Sequence, residues 1–131
     1  MEKEKYLLWL EQAENDFQWA NYSFTGGFYA QTCFIAQQVG EKSLKALAYF
    51  LGAETVKGHS LVIIARELKI NGIVEKASQN LDPYYISARY HDGLPAAITP
   101  KDYYERNQGE DALKSAQDIL HYTQKQLGKI P

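Results

Sequence analysis

Arg89 and His91 stand two residues apart in the stretch SARYHD, residues 87–92, with Asp92 beside them. These residue types can handle a phosphodiester. A guanidinium offers a planar fork to phosphate oxygens, and an imidazole exchanges a proton near neutral pH. Metal-free RNA cleavage needs both functions: an acid or base at the 2′-hydroxyl and a cation for the charge developing on phosphorus. On an extended backbone, residues two apart project to the same side, so Arg89 and His91 are expected to face one phosphate. The plainer alternative is that Arg89 braces an acid of the protein, Glu41 for example, while His91 sits in solvent. Tyr84, Tyr85, Tyr90, Tyr103 and Tyr104 lie close by in sequence. Beside an arginine, such rings either stack a base or pack at half-buried positions.

A second group of polar residues lies upstream. Gln31, Gln38, Glu41 and Lys45 share one narrow stripe of a helix. In one reading the stripe is a groove for a nucleotide or for the Arg89 loop. In the other, Glu41 and Lys45 form an ordinary i,i+4 ion pair on a solvated face, worth about 0.2–0.5 kcal/mol. His59 directly precedes a helix start at Ser60. It could bind phosphate at that helix's free N–H groups, but the preferred reading is that it fixes the loop by bonding a neighbouring helix. His121 falls among surface residues. The three histidines lack a ligand spacing, so neither a metal site nor a cofactor is expected. The single cysteine, Cys33, falls on a core-facing line and reads as packing.

The elements that must position these residues are helical. Tyr6, Leu10, Ala13, Phe17, Ala20 and Phe24 recur at threes and fours, one stripe of a first helix that Gly26-Gly27 ends. The stretch FYAQTCFIAQQVGEKSLKALAYFLG carries two apolar lines, one through Cys33, Ala36, Gly40, Leu44 and Leu51, the other through Ile35, Val39, Ala46 and Phe50. That is the pattern of a central helix covered by several neighbours. Short helices follow, one capped by Ser60 and one resuming after Asn71-Gly72. Another is expected to restart at Asp82-Pro83 with Asp82 as its cap. HDGLPAAITP reads as a loop. Thr99-Pro100-Lys101-Asp102 opens a final helical stretch, in which Gly109 weakens the case for one unbroken helix. No run alternates like a strand. The fold class is all-α, an up-and-down bundle of four to five helices forming one domain over residues 1–131.

Composition narrows the function classes. With 131 residues, 45% apolar and 23% charged, the chain has the profile of one soluble globular domain. A net charge of −2 argues against nucleic-acid binding through bulk positive charge and leaves room for a local basic patch. A single cysteine and a charged start, MEKEKYLLWL, fit a cytoplasmic protein without a signal peptide. No apolar stretch reaches membrane-spanning length.

Three strings in order, the long helix with QQVGEKSLKA, then KGHSL, then SARYHD, resemble the HEPN domain family. The likeness runs through nearly the whole chain, and its most specific piece is Gln37, Gln38, Glu41, Lys42, Lys45 and Ala46. The resemblance implies a helical bundle, often a homodimer and often encoded beside a small nucleotidyltransferase. Family members include ribonucleases, toxin components and nucleotide-binding modules. The nuclease members carry a histidine about four to six residues after an arginine. None of Arg66, Arg89 or Arg106 has a histidine at that distance. The expectation is therefore a HEPN partner of a minimal nucleotidyltransferase in a toxin–antitoxin-like system. It would bind a nucleotide or RNA through Gln38, Glu41, Lys45, His59, Arg89, Tyr90 and Asp92, with Tyr90 and Tyr104 as candidate sites of nucleotidylation. A metal-independent ribonuclease using Arg89 and His91 across a dimer is the second reading, and a non-catalytic docking module the third.

Overall fold

The computed structural model describes residues 3–95 and 97–131. Helix α1 (Lys5–Thr25) and helix α2 (Tyr29–Phe50) form an antiparallel hairpin closed by Gly26 and Gly27. Gly27 has φ +83°, a left-handed conformation that glycine adopts without strain. Four short helices follow: α3 (Leu61–Glu67), α4 (Ile73–Leu81), α5 (Tyr84–Ser87) and, after a 3-10 turn at His91–Gly93, α6 (Pro100–Tyr103). The long helix α7 (Arg106–Gln126) completes the bundle. Among the described residues there is no strand, and no helix is long and apolar enough to cross a membrane.

Helix α2 is the centre, as its two apolar lines predict. Cys33, Ile35, Ala36, Val39, Leu44 and Ala46 are all buried, under α1 and α7 on two sides and the short helices on a third. Gly40 permits the closest of these contacts. A Cβ there would lie 2.7 Å from Leu61 Cδ1, so α3 rests almost directly on the α2 backbone. Phe50 and Leu51, expected on the core lines, are instead exposed at the end of α2. Phe50 keeps an edge-on contact with Tyr6, ring centroids 5.1 Å apart. The hairpin also holds a polar tie absent from the apolar pattern. Lys42 pairs with Asp16, which is buried in the α1 face and receives a second bond from Gln12 at 2.9 Å.

Two helix starts differ from expectation, each for a local reason. Asp82 does not cap α5; its own backbone is helical, φ −51° and ψ −43°, and Pro83 takes the cap position. The Asp82 carboxylate turns sideways and caps α3, accepting from Leu61 N at 2.7 Å, Val62 N at 3.2 Å and Ser60 Oγ at 2.9 Å. Helix starts leave such N–H groups without partners, and a carboxylate satisfies them while also meeting the positive end of the helix dipole. Ser60 caps the same helix, as its position predicts, accepting from Ile63 N. The Thr99-Pro100 start yields only the single turn of α6. Tyr104 is then extended, and Glu105 begins α7 through reciprocal bonds with Gln108. Gly109 lies inside α7 without breaking it, and its missing side chain admits the Phe24 ring, 3.0 Å from where a Cβ would stand.

Candidate functional site

Arg89 follows α5 on a turn anchored by the buried Ala88. Its Nε and Nη2 both donate to the Tyr85 carbonyl, at 2.9 Å and 2.7 Å. The guanidinium carbon stands 4.3 Å from the Phe34 ring centroid, 4.7 Å from that of Tyr85 and 5.0 Å from that of Tyr90. Rings around the ion favour its charge and fix its plane. Of the five N–H donors an arginine carries, two are engaged in this way, and the others remain for a ligand. A pocket of about 360 Å³ opens beside it, with Arg89, Lys101, Thr99 and Gln31 over Ala30 and Ala88. Lys101 also meets Asp102 at 3.0 Å, and that bond holds the exposed Asp102 carboxyl below its usual range, with Thr99 assisting.

The stripe on α2 reaches this loop indirectly. Glu41 and Lys45 are only 5% and 7% exposed, so they form neither a solvated pair nor an open groove. Lys45 donates to Glu41 Oε2 at 3.0 Å, and the other carboxylate oxygen lies 3.0 Å from His59 Nδ1. Glu41 is thus engaged by His59 where the plainer reading placed Arg89. The fully buried Gln37 donates to the His59 carbonyl at 2.9 Å and accepts from Gln38 at 2.8 Å. The His59 ring then stacks on Tyr85, whose carbonyl holds Arg89. Glu41, His59, Tyr85 and Arg89 form one connected path from the central helix to the pocket. His59 thus meets the neighbouring helix α2 through both its ring and its carbonyl.

His91 and Arg89 do not lie on an extended run. Only Tyr90 between them is extended, φ −124° and ψ 131°; Ala88 before them is helical in backbone, and His91 opens the 3-10 turn. His91 Nε2 lies 3.0 Å from Asp92 Oδ1, both side chains being mostly in solvent, while Arg89 turns back to Tyr85. Of the two candidate tyrosines, Tyr90 is 52% exposed and Tyr104 only 7%. The Tyr104 hydroxyl is 2.6 Å from Ser87 Oγ, and burial raises its pKa, so Tyr90 is the accessible one. Burial, with Asp111 adding to it, pushes the Cys33 thiol up to about 12, in keeping with a packing role. Among the described residues no group of histidine, cysteine and carboxylate side chains could hold a metal ion.

The HEPN domain model matches residues 6–127. The chain belongs to the HEPN domain family. A crystal structure from Thermus thermophilus is 34% identical, covers 94% of this chain and 98% of its own, and superposes with a TM-score of 0.87. An archaeal HEPN homologue follows at 29% identity, 96% and 98% coverage and a TM-score of 0.78. A HEPN domain protein from Thermotoga maritima does so at 26% identity, 93% and 98% coverage and a TM-score of 0.72. No functionally curated protein matches.

In this HEPN bundle the polar string that carries the resemblance consists largely of internal ties. Gln37 holds the His59 backbone, Glu41 the His59 ring and Lys45, and Lys42 reaches Asp16 on α1. Sequence reasoning placed Tyr85 near Arg89 but missed Phe34 and Lys101 as parts of its surroundings. Phe34 sits on α2 between the apolar lines, and no spacing rule brings it beneath a loop some fifty residues onward. A buried Gln37 could have been suspected, since it falls beside core positions on a helix that is otherwise covered.

Proposed function

We propose that this HEPN protein binds a nucleotide or RNA at the Arg89 pocket and acts as the partner of a minimal nucleotidyltransferase in a two-component, toxin–antitoxin-like system. The observation that carries the binding reading is the fixed, ring-surrounded guanidinium of Arg89. It keeps free donors at the edge of a pocket that also presents Lys101. Arginine held in this way suits phosphate, because its donors are aligned before the ligand arrives. Gln38, Glu41, Lys45 and His59 support the loop from behind. Tyr90 stands beside Arg89 in reach of solvent, where a base can stack on it or a transferase can modify its hydroxyl. Two copies meeting near the loops would double the site.

A second reading, a metal-independent ribonuclease, draws on the exposed His91–Asp92 pair. A carboxylate on one imidazole nitrogen orients the ring as a base, with Arg89 supplied across a dimer.

Equilibrium binding of labelled RNA and of an adenine nucleotide to wild type, Arg89→Ala and Arg89→Lys tests the first reading. Arg89→Ala is expected to weaken binding at least tenfold, with Arg89→Lys between, because lysine lacks the fork. Equal affinity for all three would refute it. Incubating the same proteins with RNA in chelator separates the second reading, which requires cleavage that both Arg89→Ala and His91→Ala abolish.

A further inference from the structure

Gln31 lines two depressions. One is the Arg89 pocket, and the other is an apolar groove of about 290 Å³ at the α1–α2 turn, walled by Trp19, Tyr22 and Phe28. These rings are 56%, 82% and 58% exposed. Single exposed aromatics are common, but three grouped around one groove mark a contact surface. Trp19 and Tyr22 stand three residues apart on one face of α1, and Phe28 faces them across the glycine turn. From Phe28 to Phe34, the ring beneath Arg89, α2 rises by about 9 Å. Groove and pocket adjoin at Gln31, which lines both.

The charges there identify the occupant. The residues lining the two depressions include Arg89 and Lys101 and no carboxylate. Asp102 meets Lys101 from outside the lining. In a chain whose net charge is −2, a strip of cations and bare rings runs against the overall balance. Cations for a backbone and aromatic faces for bases are the components of a single-stranded nucleic-acid track. A peptide partner would need neither the cations nor the flat exposed rings in that order. A duplex keeps its bases stacked on each other and unavailable to side chains.

We infer that single-stranded RNA runs from the Arg89 pocket to the α1–α2 turn, its phosphates at Arg89 and Lys101 and its unpaired bases stacked on Trp19, Tyr22 and Phe28. This rests on the nucleotide or RNA reading of Arg89 and adds a preference for an oligomer over a mononucleotide and for unpaired over paired strands.

Titrations with a labelled single-stranded oligoadenylate, the same strand annealed to its complement, and AMP test the track. Trp19→Ala and Phe28→Ala alter exposed side chains, so the helical circular dichroism is expected to be unchanged. Each should weaken oligoadenylate by about tenfold and leave AMP as in wild type, whereas Arg89→Ala weakens both ligands. In a Trp9→Phe background, oligoadenylate but not AMP should quench the remaining Trp19 fluorescence. Oligoadenylate binding unchanged in Trp19→Ala and Phe28→Ala, with Arg89→Ala still weakening AMP, would overturn the track and leave the Arg89 reading standing. Binding of neither ligand by wild type would overturn both. An effect of the Trp19 and Phe28 variants on self-association alone would make the groove a protein contact and overturn the RNA assignment.

Discussion

The imidazole of His59 lies on the phenol ring of Tyr85, centroids 4.3 Å apart and planes 19° from parallel, while its Nδ1 meets Glu41 at 3.0 Å. One side chain therefore joins a buried carboxylate of the central helix to the residue whose carbonyl orients Arg89.

Replacing His59 separates those two contacts. His59→Phe keeps the stack and loses the bond to Glu41, and His59→Ala loses both. With the ring half in solvent, the lost bond is expected to cost about 1 kcal/mol in urea unfolding. His59→Ala should also weaken ligand binding at Arg89 several-fold, with His59→Phe closer to wild type. Equal ligand affinity in both variants would place Tyr85 and Arg89 without help from His59.

Glu41 and Lys45 are both buried, and removing Glu41 leaves Lys45 without its carboxylate partner. Glu41→Ala is expected to destabilise by about 3–5 kcal/mol. The double variant Glu41→Leu, Lys45→Met should recover most of that loss, since an apolar pair of similar volume carries no desolvation cost. Chemical denaturation of the three proteins checks the order.

Asp82 caps a helix that is distant from it in sequence. Asp82→Ala is expected to cost about 1–2 kcal/mol and to raise amide exchange at Leu61 and Val62 before the rest of the bundle. Uniform exchange across α3 and α5 would instead show that the carboxylate matters mainly to its own chain segment.

Alkaline pH acts through Cys33, Tyr84 and Tyr104, which lie together around α5. Burial lifts the Cys33 thiol from an ordinary value of 9.0 to about 12, and lifts the Tyr84 and Tyr104 phenols in the same direction. The folded chain therefore holds protons that the unfolded chain releases. Stability from Cys33 is complete below about pH 9 and is lost as pH rises toward 12. Cys33→Ala should flatten the decline by about one proton in a series of urea unfolding curves over that window.

The helices were legible in the sequence because apolar spacing and glycine or proline punctuation act locally. Gly26-Gly27, Ser60 and Asn71-Gly72 mark true helix boundaries. Asp82 misled because a capping carboxylate can serve any N–H that comes near, and α3 is brought near only by the folded bundle. The site was legible in part for the same reason. Arg89 and the stripe at Glu41 drew notice by residue type, but their link runs through the His59 ring and the Tyr85 carbonyl, which spacing does not encode. Burial of Lys45 was hidden too, since lysine is ordinarily a surface residue and only Glu41, with Trp9 beside it, accommodates its ammonium inside. The exposed rings of Trp19 and Tyr22 fall off the apolar stripe of α1 in the sequence, but no spacing rule groups them with Phe28 around one groove.

The most direct measurement maps a ligand onto the molecule. Single-stranded RNA is titrated into isotope-labelled protein while backbone and arginine side-chain N–H resonances are followed by nuclear magnetic resonance. The expected shifts cluster at the Arg89 side chain, Tyr90, Lys101 and Gln31, and vanish in Arg89→Ala. Shifts confined to another face, or the same shifts in Arg89→Ala, would contradict the assignment of binding to the Arg89 loop.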